Sequence, residues 1–298
     1  MHGEEALNLS VEIGWEDGYC SSGVVQKLNQ MLRRRFESRL REKSDQNMSL
    51  RKELEDQAFS LGADLFGVAK AEGFSMAPSG HRPTDIVPEA RSVIVLGMKY
   101  LDMMVDLLPT GREEDALATS REKMFAGHND FLSAQLDRTG FALAKTLEKK
   151  GFKAYHQLSS QGGTDDRYLV GMVSLKHLAV EAGLGSLGCH SLLITPQYGP
   201  RVRLTAIITD AEIHPTDNPI GINFCEICVE KPCISLCPAG ALKQPEKNQS
   251  YNMDRFLCAQ YRRTRPACST CLKVCIGGRK HLQGEAERES RKTRKTAK

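Results

Sequence analysis

Long apolar runs are missing from this sequence. No stretch of its 298 residues approaches the roughly 20 consecutive apolar residues that a membrane-spanning helix needs. A secretory signal is missing too, because the N-terminal residues are acidic and polar and contain no apolar core behind a charged region. These absences predict a protein without a membrane partner. We expect it in the cytoplasm, where structural disulfides are rare.

Histidines spaced as metal ligands are also missing. Five of the eight histidines are scattered along the chain without such spacing, namely His81, His128, His156, His177 and His214. Metal ligation is therefore predicted for cysteine, because eight of the ten cysteines lie between Cys225 and Cys275. Such clustering is not typical of disulfides in a reducing compartment. Of the other two, Cys20 is predicted to be incidental, and Cys189 either a small buried residue or part of a pocket wall.

The clustered cysteines form two groups with reciprocal spacing. The first group has the pattern Cys-x2-Cys-x4-Cys-x3-Cys-Pro, and the second has Cys-x2-Cys-x3-Cys with Cys258 ten residues before it. In two-cluster ferredoxins a cysteine run supplies three ligands to one four-iron cluster, and its fourth cysteine, before proline, ligates the other. The spacing therefore predicts one 4Fe–4S cluster on Cys225, Cys228, Cys233 and Cys275, and a second on Cys237, Cys258, Cys268 and Cys271.

Zinc is the main alternative for these cysteines, because paired Cys-x2-Cys motifs also form tetrahedral zinc sites. An unliganded thiol core is another alternative. The Cys-Pro that ends the first group and the reciprocal second group are more typical of clusters. One departure from the usual ferredoxin spacing is the four-residue gap Val229–Pro232, where two residues are usual. We expect Pro232 to stiffen this enlarged loop.

Apolar periodicity divides the chain into four predicted segments. Residues 1–47 are a partly helical extension, and a new helix is predicted to begin with Ser49 as its N-cap. Residues 48–218 interleave strands with helices and indicate a layered α/β domain, followed by a small cysteine-dense domain over 219–278. The predicted strands are 64–70, 91–100, 152–158, 190–195 and 201–209, and the main helices after residue 70 are 129–151 and 174–182. The predicted fold class is α+β.

The positive charge of the chain lies at its C-terminal end. Residues 279–298 contain eight Lys or Arg and three Glu, and therefore carry +5 of the formal net charge of +4, leaving −1 on the other 278 residues. This segment lacks aromatic residues and periodicity, which predicts a basic disordered tail. A solvated tail is the favoured interpretation, and electrostatic contact with RNA or an acidic partner is the alternative. A nucleic acid is not the expected partner.

A glycine-rich turn separates a predicted helix from a predicted strand at residues 182–188. Its order, helix before turn and strand after it, is the reverse of the dinucleotide-binding arrangement, so NAD is not predicted. The glycines Gly183, Gly185 and Gly188 allow the backbone to approach something flat or bulky. After it, Arg201 and Arg203 alternate on a strand and face one side, either as salt-bridged residues or as contacts to an anion.

The stretch AGLGSLGCHSLLITPQYGPRVRL, residues 182–204, together with the two cysteine groups, resembles the superfamily of epoxyqueuosine reductases and reductive dehalogenases. The resemblance covers residues 48–278 and is strongest over 170–278. It implies a nitroreductase-like α/β domain that binds cobalamin, followed by a two-cluster ferredoxin-like domain. It also implies that Gly183, Gly185, Gly188, His190 and Ser191 line a corrinoid pocket.

The resemblance implies a reductase that passes single electrons through two 4Fe–4S clusters to cobalamin, which reduces a small or nucleoside-like substrate. A low-potential donor such as ferredoxin or flavodoxin is the implied partner. Two alternatives remain: an electron-transfer protein that serves a partner's corrinoid or active site, and an oxidoreductase whose α/β domain binds flavin or nothing. Epoxyqueuosine reductases place a catalytic Asp thirteen residues before the AGLG turn, where this chain has Leu169. No catalytic residue is therefore assigned.

We predict that deleting residues 279–298 leaves metal binding unchanged, because this segment contains no cysteine and cannot form a core. The measurement is the iron content of the full-length and shortened chains after identical anaerobic reconstitution. Loss of iron from the shortened chain would show that the basic segment has a structural role.

Overall fold

The structure is a computed structural model that describes residues 22–75, 77–111, 116–159, 167–216, 223–265 and 267–278. Two compact units divide between Gln46 and Asn47. The described residues of the first unit are helical, with exposed apolar side chains at Met31, Leu32 and Phe36. The second unit contains the sheet and the clustered cysteines. No helix in the described part of the chain combines the length and the apolar character of a membrane span.

Helices and strands alternate irregularly along the described chain. The helices are α1 Ser22–Ser60, α2 Pro83–Ile86, α3 Asp102–Asp106, α4 Ala118–Lys149, α5 Leu175–Glu181, α6 Phe224–Ile227, α7 Pro232–Ser235, α8 Arg255–Thr264 and α9 Thr270–Val274. The strands are β1 Leu65–Lys70, β2 Ser92–Lys99, β3 Ala154–Gln157, β4 Ser186–Leu187, β5 Leu193–Ile194, β6 Val202–Thr209, β7 Leu242–Lys243 and β8 Asn252–Met253. Short 3-10 turns occupy Ala71–Phe74 and Ile276–Gly278. The predicted α+β class is confirmed.

Helix α1 is continuous through the position where a new helix was expected to begin. The prediction of an N-cap at Ser49 is wrong, because Ser49 lies inside the helix. The physical reason is that neither Gly nor Pro occurs between Val24 and Leu61, so no residue interrupts the backbone hydrogen bonds. The helix ends at Ser60, and Gly62 follows in the turn with a φ of +95°, which is readily adopted only by glycine.

The central sheet has four antiparallel strands in the order β1–β2–β6–β3. Side chains along β2 alternate between its two faces. Ile94 and Leu96 pack in one core with residues of α1 and α4, whereas Val93 and Val95 pack in a second core with residues of α5. The run Val93–Leu96 is wholly buried because helices cover both faces of the sheet.

Helix α4 begins eleven residues earlier than the sequence predicted. The pattern of buried leucines indicated a start at Asn129, but the helix begins at Ala118. Its first turns are polar and contain few of the apolar residues from which the periodicity was read. Glu122 in this added part is buried, and its carboxylate accepts two hydrogen bonds from the Arg265 guanidinium, at 2.7 and 3.0 Å. A long-range ion pair therefore stabilises this part of the helix.

The cysteine-rich residues pack against the sheet-bearing part of the second unit. Ala267 and Leu272 lie in the same core as α1 and α4. Ile194, Phe224 and Cys275 form a further buried cluster. The predicted domain boundary at residue 218 lies within residues 217–222, which are outside the described residues. The predicted tail, residues 279–298, also lies outside them.

The glycine-rich turn ends α5 and leads into a small hairpin of β4 and β5. Gly183, with φ +73°, follows the C-cap of α5, and its N–H donates to Val180 O while that of Leu184 donates to Ala179 O. This is a Schellman motif. Gly185 lies against β5, and a Cβ at this position would come within 2.2 Å of Ile194 O.

We therefore predict that Gly185→Ala destabilises the fold by about 1–3 kcal/mol, the usual cost of overpacking a rigid backbone contact. The midpoint temperature of unfolding should fall by about 2–4 °C for each kcal/mol. Gly127→Ala is the control, because Gly127 is exposed within α4 and a Cβ there meets nothing within 4 Å. This change should leave stability unchanged or raise it by up to about 1 kcal/mol. Equal midpoints for the two variants would contradict the contact.

Candidate metal centre

The eight predicted cysteine ligands form two sets of neighbouring thiols. One set consists of Cys225, Cys228, Cys233 and Cys275, whose thiols lie close enough for one to raise the pKa of another. The other set, related in the same way, consists of Cys237, Cys258, Cys268 and Cys271. Cys233 and Cys271 also interact and so link the two sets. The Cys189 thiol also interacts with Cys225 and Cys233. The crossed ligand sets that the spacing predicts therefore stay a prediction, with which these neighbouring thiols are compatible.

Burial is the main influence on these thiols. Burial, with a smaller contribution from neighbouring thiols, raises the pKa of Cys225 to about 11 and those of Cys233, Cys271 and Cys275 to about 12. A thiolate in a dry environment is costly unless a positive charge lies beside it. A metal ion supplies that charge and displaces the proton, so these positions suit metal ligation.

The first set of thiols surrounds a cavity. The cavity contains about 290 Å³ of empty space, part of it open to solvent. All four cysteines of the set line it, and Cys189, His190 and Lys231 contribute to the same wall. Among the described residues, no three ligating side chains converge tightly enough to hold a single metal ion. The thiols thus lie around a space.

Short helices and turns position the thiols of the first set. Asn223 caps α6, and its side-chain oxygen accepts a hydrogen bond from Cys225 N at 3.1 Å. Lys231 has a left-handed φ of +41°, and Pro232 then begins α7, which carries Cys233. The four-residue gap therefore contains a reversal of the chain followed by a new helix start. Pro232 fits this position because its fixed φ suits the first turn of a helix.

Two further helices carry the other thiols. Asp254 caps α8 through its carboxylate, which accepts a hydrogen bond from Leu257 N at 2.9 Å, and Cys258 lies in the first turn. Helix α9 carries Cys271 and ends at Cys275 in extended backbone. This change of direction after one short helix separates Cys271 and Cys275 into different sets.

Cys189 and His190 lie on the cavity wall. Cys189 N donates a hydrogen bond to Cys225 Sγ at 3.3 Å, so the alternative of a pocket-lining residue holds for Cys189. His190 is only 2% exposed. Burial, aided by the charge of Lys176, lowers the pKa of His190 to about 4, so its ring is neutral at ordinary pH. Sequence reasoning assigned His190 to a corrinoid pocket, and the structure brings it beside the cysteines.

The other predicted corrinoid contacts have partners within the chain. Cβ atoms at Gly185 and Gly188 would meet Ile194 and the His190 ring within 3 Å, and Gly183 ends α5. Ser191, with φ +66°, accepts a hydrogen bond from Lys176 Nζ. These residues therefore do not form an open cradle for a broad macrocycle on the Cβ side of the turn. The geometry explains the glycines by packing within the chain, and corrinoid contact at the turn stays a prediction.

The two arginines of β6 also contact groups of this chain. The guanidinium of Arg201 is buried and donates to Asp102 Oδ1 at 3.2 Å and to Asp106 Oδ1 at 2.6 Å. Arg203 donates to Ser133 Oγ at 3.0 Å and to Ser159 O at 2.9 Å. Of the two alternatives for these arginines, a salt-bridged residue or a contact to an anion, the structure shows the salt bridge for Arg201. Sequence reasoning missed the acidic partners, because they lie about one hundred residues away along the chain.

Comparisons with known proteins show which proteins this chain is similar to. No protein-family model matches the sequence. The chain is 28% identical over 234 residues to a tetrachloroethene reductive dehalogenase of Desulfitobacterium hafniense, an alignment that covers 72% of this chain and 36% of the relative. It is 26% identical over 274 residues to an epoxyqueuosine reductase of Bacillus subtilis, covering 80% of this chain and 67% of that protein.

A solved structure shares the fold. A catabolic reductive dehalogenase superposes with a TM-score of 0.59 at 20% identity, covering 78% of this chain and 33% of that one. The chain therefore spans about a third of the length of the dehalogenases that it matches. The relatives and the shared fold lead to one conclusion: homologues of this chain include both reductive dehalogenases and epoxyqueuosine reductases, and the chain is similar in sequence to both groups.

Proposed function

We propose that this protein is an iron–sulfur oxidoreductase that passes single electrons through two 4Fe–4S clusters. The observation that carries the proposal is the division of eight clustered cysteines into two sets of four neighbouring thiols. Similarity to these two groups of reductases supports the redox character of the site. When bound, each cluster takes up and releases one electron at a time.

The cavity supports a cluster over zinc. A zinc ion binds thiolates at about 2.3 Å in a tetrahedron, which draws the four sulfurs together around one point. A cubane has its four irons at separate corners and needs sulfurs distributed around a larger space. The four thiols of the first set line one common cavity, which is the arrangement that the second requirement describes.

The protein residues hold and shield the clusters. Phe224 and Ile194 are almost fully buried beside Cys275, and Leu242 packs beside Cys233, so apolar side chains exclude water from the thiols. Low solvent exposure favours the less charged state of a cluster and so influences its potential. The interaction of Cys233 with Cys271 places the two sets side by side, which suits transfer between them.

We propose a reductive reaction on a small or nucleoside-like substrate, with a low-potential donor such as ferredoxin or flavodoxin. Cobalamin as the second cofactor is a prediction from the family, and no reaction step is assigned to it here. Epoxyqueuosine, which gives one group of relatives its name, is a modified nucleoside. A nucleic acid that carries a modified base therefore belongs among the candidate substrates, and we do not retain the expectation that excluded nucleic acid.

An electron-transfer protein that serves a partner's active site is the second candidate. It is favoured by the packing of the glycine turn against its own chain. In this alternative the two clusters have the same ligands, and only the final electron acceptor differs. Cobalamin binding therefore distinguishes the two candidates.

The first test is metal content. Anaerobically reconstituted protein should contain about eight irons per chain and absorb broadly near about 400 nm, as expected for two cubanes. Cys233→Ala and Cys271→Ala should each lose about four irons, because each removes a ligand from a different set. Cys189→Ala is the control and should keep about eight, since its thiol lies beside Cys225 and Cys233 but belongs to neither predicted ligand set, and its backbone N–H is retained. Stoichiometric zinc without iron, or unchanged iron in both ligand variants, would refute the assignment.

The second test is an anaerobic titration with cobalamin at tens of micromolar, followed by visible spectroscopy. A saturable spectral shift with one cobalamin per chain is the outcome expected of the reductase. Gly127→Ala should bind equally, because Gly127 is exposed in α4 and a Cβ there meets no other atom within 4 Å. Absence of binding by a protein that holds about eight irons would favour the electron-transfer protein.

A further inference from the structure

The side chain of His190 is buried at the cavity wall with one ring nitrogen unpartnered. The residue is 2% exposed and lines the cavity with Cys225, Cys228 and Cys233. Nε2 of this ring is buried and has no hydrogen-bond partner within the described residues. Buried polar groups without a partner are rare and destabilise the folded state. A group absent from the protein chain is therefore the expected partner of this nitrogen.

The hydrogen bonding of the ring determines its tautomer. Leu192 N donates a hydrogen bond to His190 Nδ1 at 3.1 Å, so Nδ1 is the acceptor. A neutral imidazole has one acceptor and one donor nitrogen. Nε2 therefore carries the hydrogen and is a donor. Its missing partner must be an acceptor, and sulfur atoms of an iron–sulfur cluster accept hydrogen bonds.

We propose that His190 Nε2–H donates a hydrogen bond to a sulfur of the cluster held by Cys225, Cys228, Cys233 and Cys275, and that this bond raises the cluster's reduction potential. The inference rests on the proposed function, because it requires the cluster. Reduction adds one electron and hence negative charge to the cluster. The donor stabilises the reduced state more than the oxidised state, and no proton is transferred.

The fold holds the ring in place from two directions. The Cβ of any residue at position 188 would meet His190 Cε1 at 2.6 Å, so only glycine permits this ring position. Ser191, in the left-handed conformation, is bound by Lys176 and directs the chain back toward β5. Cys189 N, one residue before, donates to Cys225 Sγ. Two consecutive residues of one turn thus supply donors to the same cluster site.

The potentials of variants test the inference. His190→Phe removes the donor and should lower the reduction potential of one cluster and leave that of the other unchanged. We expect a change of about tenfold in the equilibrium constant for reduction, which corresponds to about 59 mV for one electron. His190→Gln retains a side-chain N–H and should restore most of the difference. His177→Phe is the matched control, because His177 is an exposed histidine outside the cavity and should change neither potential.

A spectroscopic measurement on the wild-type protein tests the same hydrogen bond without a substitution that could disturb folding. Protein labelled with 15N only in histidine, reduced by one electron, should show a hyperfine coupling between a histidine nitrogen and the paramagnetic cluster. The same label in His177→Phe should give the same coupling. Absence of the coupling, or unchanged potentials in a His190→Phe protein that holds about eight irons, would overturn the inference and leave the proposed function intact. A wild-type protein without iron would instead refute the proposed function itself.

Discussion

The cysteine-rich segment depends on the sheet-bearing segment for its core. It has few large apolar side chains, and its helices are four to ten residues long, too short to be stable alone. Ala267 and Leu272 therefore pack into the core formed by α1 and α4, and Phe224 packs on Ile194 of the hairpin. The buried pair of Glu122 and Arg265 adds a polar connection. The cavity and the proximity of the thiols around it both depend on this packing.

The same attachment makes the thiols dry. Apolar neighbours raise the pKa of the buried cysteines, and the proposed metal centre would relieve the cost by supplying positive charge. The exclusion of water would also strengthen the proposed hydrogen bond from the His190 N–H, because a hydrogen bond is electrostatically stronger at low dielectric. In this proposal, metal ligation by the cysteines and the effect of His190 on the cluster's reduction potential both depend on the same buried environment.

The glycine-rich turn has a structural role that a sequence motif does not reveal. Gly185 and Gly188 allow the turn to lie against Ile194 and the His190 ring, and this contact forms one wall of the cavity. Substitutions at these glycines therefore disturb the hairpin and the cavity together. For that reason, loss of cofactor binding in such variants would not by itself identify a corrinoid contact.

The sequence by itself determined the α+β class, four strands of the main sheet and the resemblance to epoxyqueuosine reductases and reductive dehalogenases, because cysteine spacing and strand periodicity are local properties of the chain. Only the tertiary structure decided that α1 continues through Ser49, that α4 begins at Ala118, and that Cys189 and His190 face the cysteine cavity. Each of these depends on contacts between residues distant in sequence, such as that of Glu122 with Arg265. A local sequence pattern does not indicate which distant residue completes a hydrogen bond or lines a cavity.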